Sequence, residues 1–176
     1  MIVPAVMPCN NCDICAQGRG NRCLAQKMPG NSLGLYGGFS SHIPVPAADL
    51  CVIDDLKGRP LANYAVVADA ATTPYQAAMR AELKNGDPVL ITGVTGGVGV
   101  YMAQVAKAFG AKPVVGMARH AEKLKRALEM GADHVINMKD KDFKQIQDEF
   151  RAISKEAGVK ANVGWKIFEC TGVGGA

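Results

Sequence analysis

The feature that most constrains this chain is a glycine-rich turn between a short apolar run and a helical segment. Residues 89–91 predict a buried parallel strand, and residues 100–109 predict a helix. A strand that turns through glycines into a helix can hold a diphosphate, because the backbone approaches the anion closely and the first helical N–H groups are unpaired. We therefore expect a dinucleotide at this turn, unless the glycines serve only close packing of helix on sheet. The predicted contacts are Gly96, Gly97, Val98 and Gly99.

Apolar runs alternate with helical segments over the second half of the chain. Further strands are predicted at 113–117, 134–136 and 166–170, and further helices at 121–130 and 140–157. Residues 61–83 also have helical spacing, and Pro74 predicts two helices that meet near Thr73. This alternation predicts an α/β fold with a doubly wound parallel sheet, the Rossmann type. Because such a domain has six strands and four are predicted, we expect an incomplete domain.

The end of the second predicted strand bears on the choice of nucleotide. An acidic residue there hydrogen-bonds the ribose diol of NAD, whereas an arginine favours the additional phosphate of NADP. This chain has Ala118 followed by Arg119. The residues therefore favour NADP, although a solvated arginine at a strand end would have the same sequence.

Four of the six cysteines lie close together near the N-terminus, with the spacing C-x2-C-x2-C-x7-C. They are Cys9, Cys12, Cys15 and Cys23. Four thiolates at such intervals can converge on one tetrahedral Zn²⁺, and a site without an open position is structural. The alternatives are an iron–sulfur cluster and four unrelated buried thiols. His42, His120 and His134 lack partners at metal or triad spacing, and Cys51 and Cys170 are expected to be buried.

Composition excludes several classes of function. The chain has 176 residues and a net charge of +4, and its basic residues are scattered, which disfavours nucleic-acid binding. No apolar run approaches the length of a membrane span, and the first residues lack the pattern of a signal peptide. We therefore expect a cytoplasmic protein without a membrane partner.

The cysteine run, together with residues 37–50, resembles the structural-zinc lobe and following strand of zinc-containing alcohol dehydrogenases, in the medium-chain dehydrogenase/reductase superfamily. The resemblance implies that residues 1–60 end a GroES-like catalytic domain and that residues 61–176 begin a Rossmann domain. It also implies an alcohol substrate, NAD or NADP, structural zinc and a homo-oligomer. Since other parts of the family's pattern are missing, we expect an internal fragment of a longer dehydrogenase.

Single site residues follow from the same resemblance. Asp69 stands where the family has the second cysteine ligand of a catalytic zinc, and a carboxylate is a competent ligand. It could equally be an aspartate in a first helical turn, paired with backbone or a nearby base. Thr73 stands near the position of the nicotinamide, and Thr171 and Gly172 stand near its ribose.

A narrower resemblance concerns residues 19–31, 69–75 and 164–170. These segments are similar to NAD-dependent dehydrogenases that oxidise a cyclic hydroxyacyl-CoA in anaerobic aromatic degradation. Three other classes remain open: a quinone-type reductase of the same superfamily, a non-enzymatic zinc-binding module, and a zinc-ribbon protein that binds nucleic acid.

Overall fold

The structure is a computed structural model that describes residues 1–32 and 37–172. The chain divides into two compact units, Met1–Asp69 and Ala70–Ala176. The division falls later than the predicted boundary after residue 60. The reason is that a 3₁₀ helix, Leu61–Ala68, lines an apolar cavity of the first unit together with the N-terminal residues.

The first unit contains little regular structure. Its elements are a short helix, α1 (Asp13–Ala16), three 3₁₀ helices (Gly20–Arg22, Ala47–Asp49 and Leu61–Ala68), and two isolated bridges. The bridges pair Ile2 with Cys51 and Met7 with Lys27. Residues 1–8 are an apolar run with two prolines, a sequence that resembles the end of a strand, but they form only these single bridges. The described part of 37–50, where the resemblance implies a strand, contains none. Cys51 is exposed rather than buried.

The second unit is built on a four-stranded parallel sheet. Its strands are β1 (Val89–Thr92), β2 (Val114–Ala118), β3 (His134–Asn137) and β4 (Lys166–Glu169). Their spatial order is β3-β2-β1-β4, which is the beginning of the 3-2-1-4-5-6 order of the doubly wound fold. The predicted Rossmann-like sheet is thus confirmed, and its register brings the carboxyl ends of β1, β2 and β4 to the same edge.

Four helices cover the two faces of this sheet. They are α2 (Thr72–Arg80), α3 (Gly97–Ala108), α4 (Ala121–Glu129) and α5 (Phe143–Glu156). One core cluster joins α2, α3 and α4 to the sheet around Val89 and Ile91, and the other joins α5 to Val115 and Ile136. Every residue of β2 is buried, as expected for a parallel strand with helices on both faces.

Three helix boundaries differ from the sequence prediction. The break between the first two helices falls at residues 69–71, and Pro74 lies inside the first turn of α2, where a missing N–H costs nothing. α3 begins at Gly97 rather than at residue 100. α5 begins at Phe143 because Asp142 and Gln145 form a capping box. The helical spacing of Phe143, Ile146, Phe150 and Ile153 predicts that all four face the core, but Phe143 is exposed. In the described part of the chain, no helix combines the length and apolarity that crossing a membrane requires.

Candidate functional site

The glycine turn leaves the carboxyl end of β1 and leads directly into α3. Gly93 takes up a left-handed conformation, with φ of +70°, that a residue with a side chain rarely adopts. The N–H of Gly96 donates to the carbonyl of Gly93 at 3.0 Å and closes the turn. Gly96 is also the N-cap of α3, so the helix starts at the point where the turn ends.

Close packing explains two of the four glycines. A Cβ atom at Gly99 would lie 2.2 Å from the carbonyl oxygen of Gly93 and 2.8 Å from Cα of Val94. A Cβ atom at Gly93 would lie 2.9 Å from Cγ2 of Thr171 and 3.0 Å from the carbonyl carbon of Cys170. The helix, the turn and the loop after β4 can therefore approach each other only because neither residue has a side chain.

Gly97 is different, because packing does not require it to be glycine. A Cβ atom built there has no heavy atom within 4 Å. Among residues 1–32 and 37–172, no acceptor is described for the N–H groups of Gly97, Val98 and Gly99, as expected in a first helical turn. These three donors, together with the open surface at Gly97, form a place where an anion can approach the backbone.

The end of β4 contacts the same turn, through a loop that contains Thr171. The carboxylate of Glu169 accepts hydrogen bonds from the Thr171 hydroxyl and, at 2.5 Å, from the Thr171 N–H. These bonds, the hydroxyl bond first, lower the pKa of Glu169. The sequence prediction included Thr171 and Gly172 but gave no role to Glu169, although an acid at the carboxyl end of a strand was a visible signal.

Arg119 follows the last residue of β2, as the sequence predicted, and its side chain is exposed. No ion pair of Arg119 occurs among the described residues. His120, the next residue, is the N-cap of α4. The end of β2 thus presents a cation where a nucleotide-binding sheet places the ribose of the adenosine.

The four predicted cysteines lie together in the first unit. All four sulfurs are within 4.8 Å of one another. Three of the sulfur–sulfur distances are 3.5 Å (Cys12 to Cys15), 3.9 Å (Cys9 to Cys15) and 4.0 Å (Cys12 to Cys23). A tetrahedral ion with Zn–S bonds of about 2.3 Å would need sulfurs about 3.8 Å apart. The four thiols therefore fit a single four-coordinate ion.

Hydrogen bonds and burial set unequal proton affinities for these thiols. The Cys9 N–H donates to the Cys23 sulfur at 3.4 Å and is the main cause that lowers the pKa of Cys23 to about 7. A backbone hydrogen bond within the cluster also lowers the pKa of Cys12. Burial, assisted by the Cys12 hydrogen bond, raises the pKa of Cys15 to about 11. A bound cation would favour the thiolate form that metal coordination requires.

The two remaining predicted residues lie beside the boundary between the units. Asp69 ends the 3₁₀ helix Leu61–Ala68, its side chain is exposed, and its N–H donates to the Val66 carbonyl at 3.4 Å. Thr73 is exposed in the first turn of α2. Among the described residues, the four cysteines are the one group of three or more possible ligands that converges. A metal-binding role of Asp69 stays a prediction.

Comparison with known proteins identifies the family. Residues 97–176, which begin with the first residue of α3, match a family described as zinc-binding dehydrogenase. This part of the chain belongs to the zinc-binding dehydrogenase family. The glycine turn, the parallel sheet and the cysteine lobe are thus found in a chain whose relatives include alcohol and polyol dehydrogenases.

Three members of the family illustrate the likeness. D-arabinose 1-dehydrogenase (NADP(+)) of Saccharolobus solfataricus is 35% identical over 133 residues, which are 73% of this chain and 37% of that protein. The NAD-dependent alcohol dehydrogenase of Sulfolobus acidocaldarius is 29% identical over 151 residues, 86% and 41% of the two chains. Galactitol-1-phosphate dehydrogenase from Escherichia coli has a similar structure, with a TM-score of 0.78 and 25% identity over 97% and 45% of the two chains. The chain spans about two fifths of the length of the two curated relatives.

Proposed function

We propose that this chain carries the dinucleotide-binding part of an NAD(P)-dependent dehydrogenase that acts on an alcohol or polyol. The supporting observation is that packing requires some glycines of the turn and not others. Gly93 and Gly99 allow close packing, whereas Gly97 leaves open surface beside three N–H groups for which the described residues offer no acceptor. A diphosphate needs that surface and those donors, and a turn used for packing alone would not need glycine at position 97.

The residues at the neighbouring strand ends would orient the rest of the dinucleotide. In this proposal, the Arg119 guanidinium pairs with a phosphate on the adenosine ribose, so NADP(H) binds more tightly than NAD(H). Thr73, Thr171 and Gly172 line the nicotinamide end. The nicotinamide, when bound, supplies the hydride acceptor for an alcohol carbon. Stabilising the alkoxide falls to other groups, and Asp69 is the proposed metal ligand in this chain.

The cysteine lobe would hold a structural zinc ion. Cys9, Cys12, Cys15 and Cys23 offer four sulfurs at tetrahedral spacing. Four thiolates leave no position open for substrate, so this ion would cross-link the lobe and take no part in hydride transfer.

Titration of the purified chain with NADPH and with NADH, followed by nucleotide fluorescence, tests the proposal. A Gly97→Ala variant places a methyl group on the open surface without touching protein atoms, and Gly38→Ala is a matched control with equally open space. We expect wild type and Gly38→Ala to bind NADPH more tightly than NADH. We expect Gly97→Ala to lose at least about tenfold in affinity while its thermal unfolding is unchanged.

The outcomes separate the competing functions. Bound zinc without nucleotide binding would contradict the dehydrogenase proposal and favour a zinc-binding module. Nucleotide binding by a protein that binds no zinc would favour a reductase of the quinone type. Equal binding by Gly97→Ala and wild type would place the nucleotide elsewhere.

A more specific proposal for the substrate can also be tested. Residues 19–31, 69–75 and 164–170 are similar to dehydrogenases of cyclic hydroxyacyl-CoA thioesters, and this similarity is the observation in favour of 6-hydroxycyclohex-1-ene-1-carbonyl-CoA. The full-length protein should then reduce NAD(P) with this thioester at a higher kcat/KM than with sorbitol. A higher value with the polyol would reject the thioester as substrate.

A further inference from the structure

One residue between the first two zinc-ligand candidates has an unusual backbone conformation. Asn10 follows Cys9 and takes up a left-handed conformation, with φ of +56°. Asn10 lies between Cys9 and Cys12, whose sulfurs both belong to the cysteine cluster. The path of the chain from Cys9 to Cys12 depends on the backbone angles of Asn10, so whatever fixes those angles also helps to fix the relative positions of the two thiols.

The side chain of Asn10 is tied to a distant part of the unit. Its Nδ2 donates to Oδ1 of Asp49 at 2.9 Å, across 39 positions of sequence. Asp49 ends the 3₁₀ helix Ala47–Asp49, outside the cysteine lobe. Its second oxygen, Oδ2, is buried and has no hydrogen-bond partner among residues 1–32 and 37–172. One oxygen of the carboxylate thus accepts from Asn10, whereas the other is removed from water without a hydrogen bond. Burying an oxygen in this way costs free energy, which suggests that Asp49 has a role beyond stability.

We propose that Asp49 is a positioning residue of the cysteine centre, acting through Asn10. The Asp49–Asn10 hydrogen bond holds Asn10 in its left-handed conformation and so keeps the Cys9 and Cys12 thiols in the positions that one shared ion requires. The inference rests on the proposed zinc site, and it adds two residues that are not themselves ligands. Groups that orient metal ligands without binding the ion themselves tune the affinity for metal, and losing such a group costs about 10-fold or more in binding.

The chemistry of the two residues supports this role. Asparagine adopts the left-handed region more readily than most residues, so the conformation needs only a modest additional constraint. An exposed hydrogen bond without this link would contribute to local stability alone and would leave metal affinity unchanged.

Competition between the chain and a chromophoric chelator for Zn²⁺ tests the proposal, with Co²⁺ absorption as a second probe of the sulfur ligands. The variants are Asp49→Ala and Asn10→Gly, which each remove the hydrogen bond, and glycine tolerates the left-handed backbone. The double variant measures coupling, and Asp49→Asn keeps an acceptor oxygen. Asp54→Ala is the matched control, since Asp54 is an exposed aspartate of the same unit. Circular dichroism of the zinc-loaded proteins checks folding.

We expect each single variant to bind zinc about tenfold more weakly, the double variant to be no weaker than the singles, and Asp49→Asn and Asp54→Ala to match wild type. Wild-type affinity in both single variants, or additive losses in the double variant, would overturn the positioning role while leaving the zinc site in place. A wild-type chain that binds no zinc would overturn both proposals. Weakened binding in Asp54→Ala to the same extent would show that loss of any nearby carboxylate has this effect.

Discussion

The two units of this chain differ in the interactions that can stabilise them. In the second unit, eighteen of the residues that form the buried apolar core surround a parallel sheet. In the first unit, the described apolar residues that are buried are Met7 and Cys23, and one of these is itself a proposed metal ligand. The second unit can therefore fold by removing apolar surface from water, whereas the first buries few apolar side chains among its described residues.

The contrast explains why the chemistry is distributed as it is. A sheet with helices on both faces fixes the ends of its strands, so a nucleotide site can be built there from backbone groups and a few side chains. The described part of the cysteine lobe contains no sheet of this kind. Coordination of one ion by four sulfurs can supply the folding free energy that a hydrophobic core supplies elsewhere, because metal binding is coupled to folding. Each prediction below concerns a change to one of the two units.

Removing the metal should have the largest effect, and it should be confined to the first unit. Loss of the ion, by chelation or by Cys23→Ser, removes binding worth about 10 kcal/mol, which equals the whole stability of a small domain. Hydrogen exchange should then show loss of protection in residues 1–69 and intact protection in the four strands of the sheet. Cys51→Ser is the control, because Cys51 is an exposed thiol outside the cluster. Loss of protection in both units together would contradict the claim that only the first unit depends on the metal for stability.

A methyl group at Gly99 should have the next largest effect, this time in the second unit. Its Cβ would lie 2.2 Å from the Gly93 carbonyl, so the backbone of the turn or of α3 must shift. Overpacking of this kind costs about 3 kcal/mol. Urea unfolding should show the loss in Gly99→Ala, while Gly97→Ala should stay within about 0.5 kcal/mol of wild type. Similar stability of Gly99→Ala and wild type would mean that the turn is not closely packed.

Acid should have the smallest effect, through Glu169. Hydrogen bonds from Thr171 lower the pKa of this carboxyl group. A group whose folded pKa is lowered stabilises the fold fully above its unfolded pKa of about 4.3, and this contribution is lost as pH falls through the folded value. The difference in melting temperature between wild type and Glu169→Gln should be constant above about pH 5 and should shrink below it. Because the side chain is exposed, the difference should be small, and a difference that grows on acidification would contradict the assignment.

Sequence patterns predicted the features that depend on neighbouring residues. The four cysteines and the glycines of the turn lie close together along the chain, so their spacing already restricts the geometry. The strands were equally visible, since a buried parallel strand is a short apolar run. The start of α3 at Gly97 was missed because glycines inside a first helical turn look like a loop.

Contacts between distant residues could not be predicted in the same way. Asn10 and Asp49 are joined across 39 positions, and nothing in either neighbourhood indicates the other. The packing of Thr171 against Gly93 likewise depends on β4 pairing next to β1, which is a property of the sheet order. The apolar residues near the N-terminus looked like a strand but make single bridges, because the described part of the unit offers them no continuous partner.

The central claim is that the first turn of α3 binds the diphosphate of a dinucleotide. The most direct test is the ¹⁵N–¹H spectrum of the labelled chain during addition of NADPH. We predict that the amide signals of Gly97, Val98 and Gly99 shift most, since these N–H groups would donate to the phosphate oxygens. A spectrum in which these three signals stay in place at saturating nucleotide would contradict the claim.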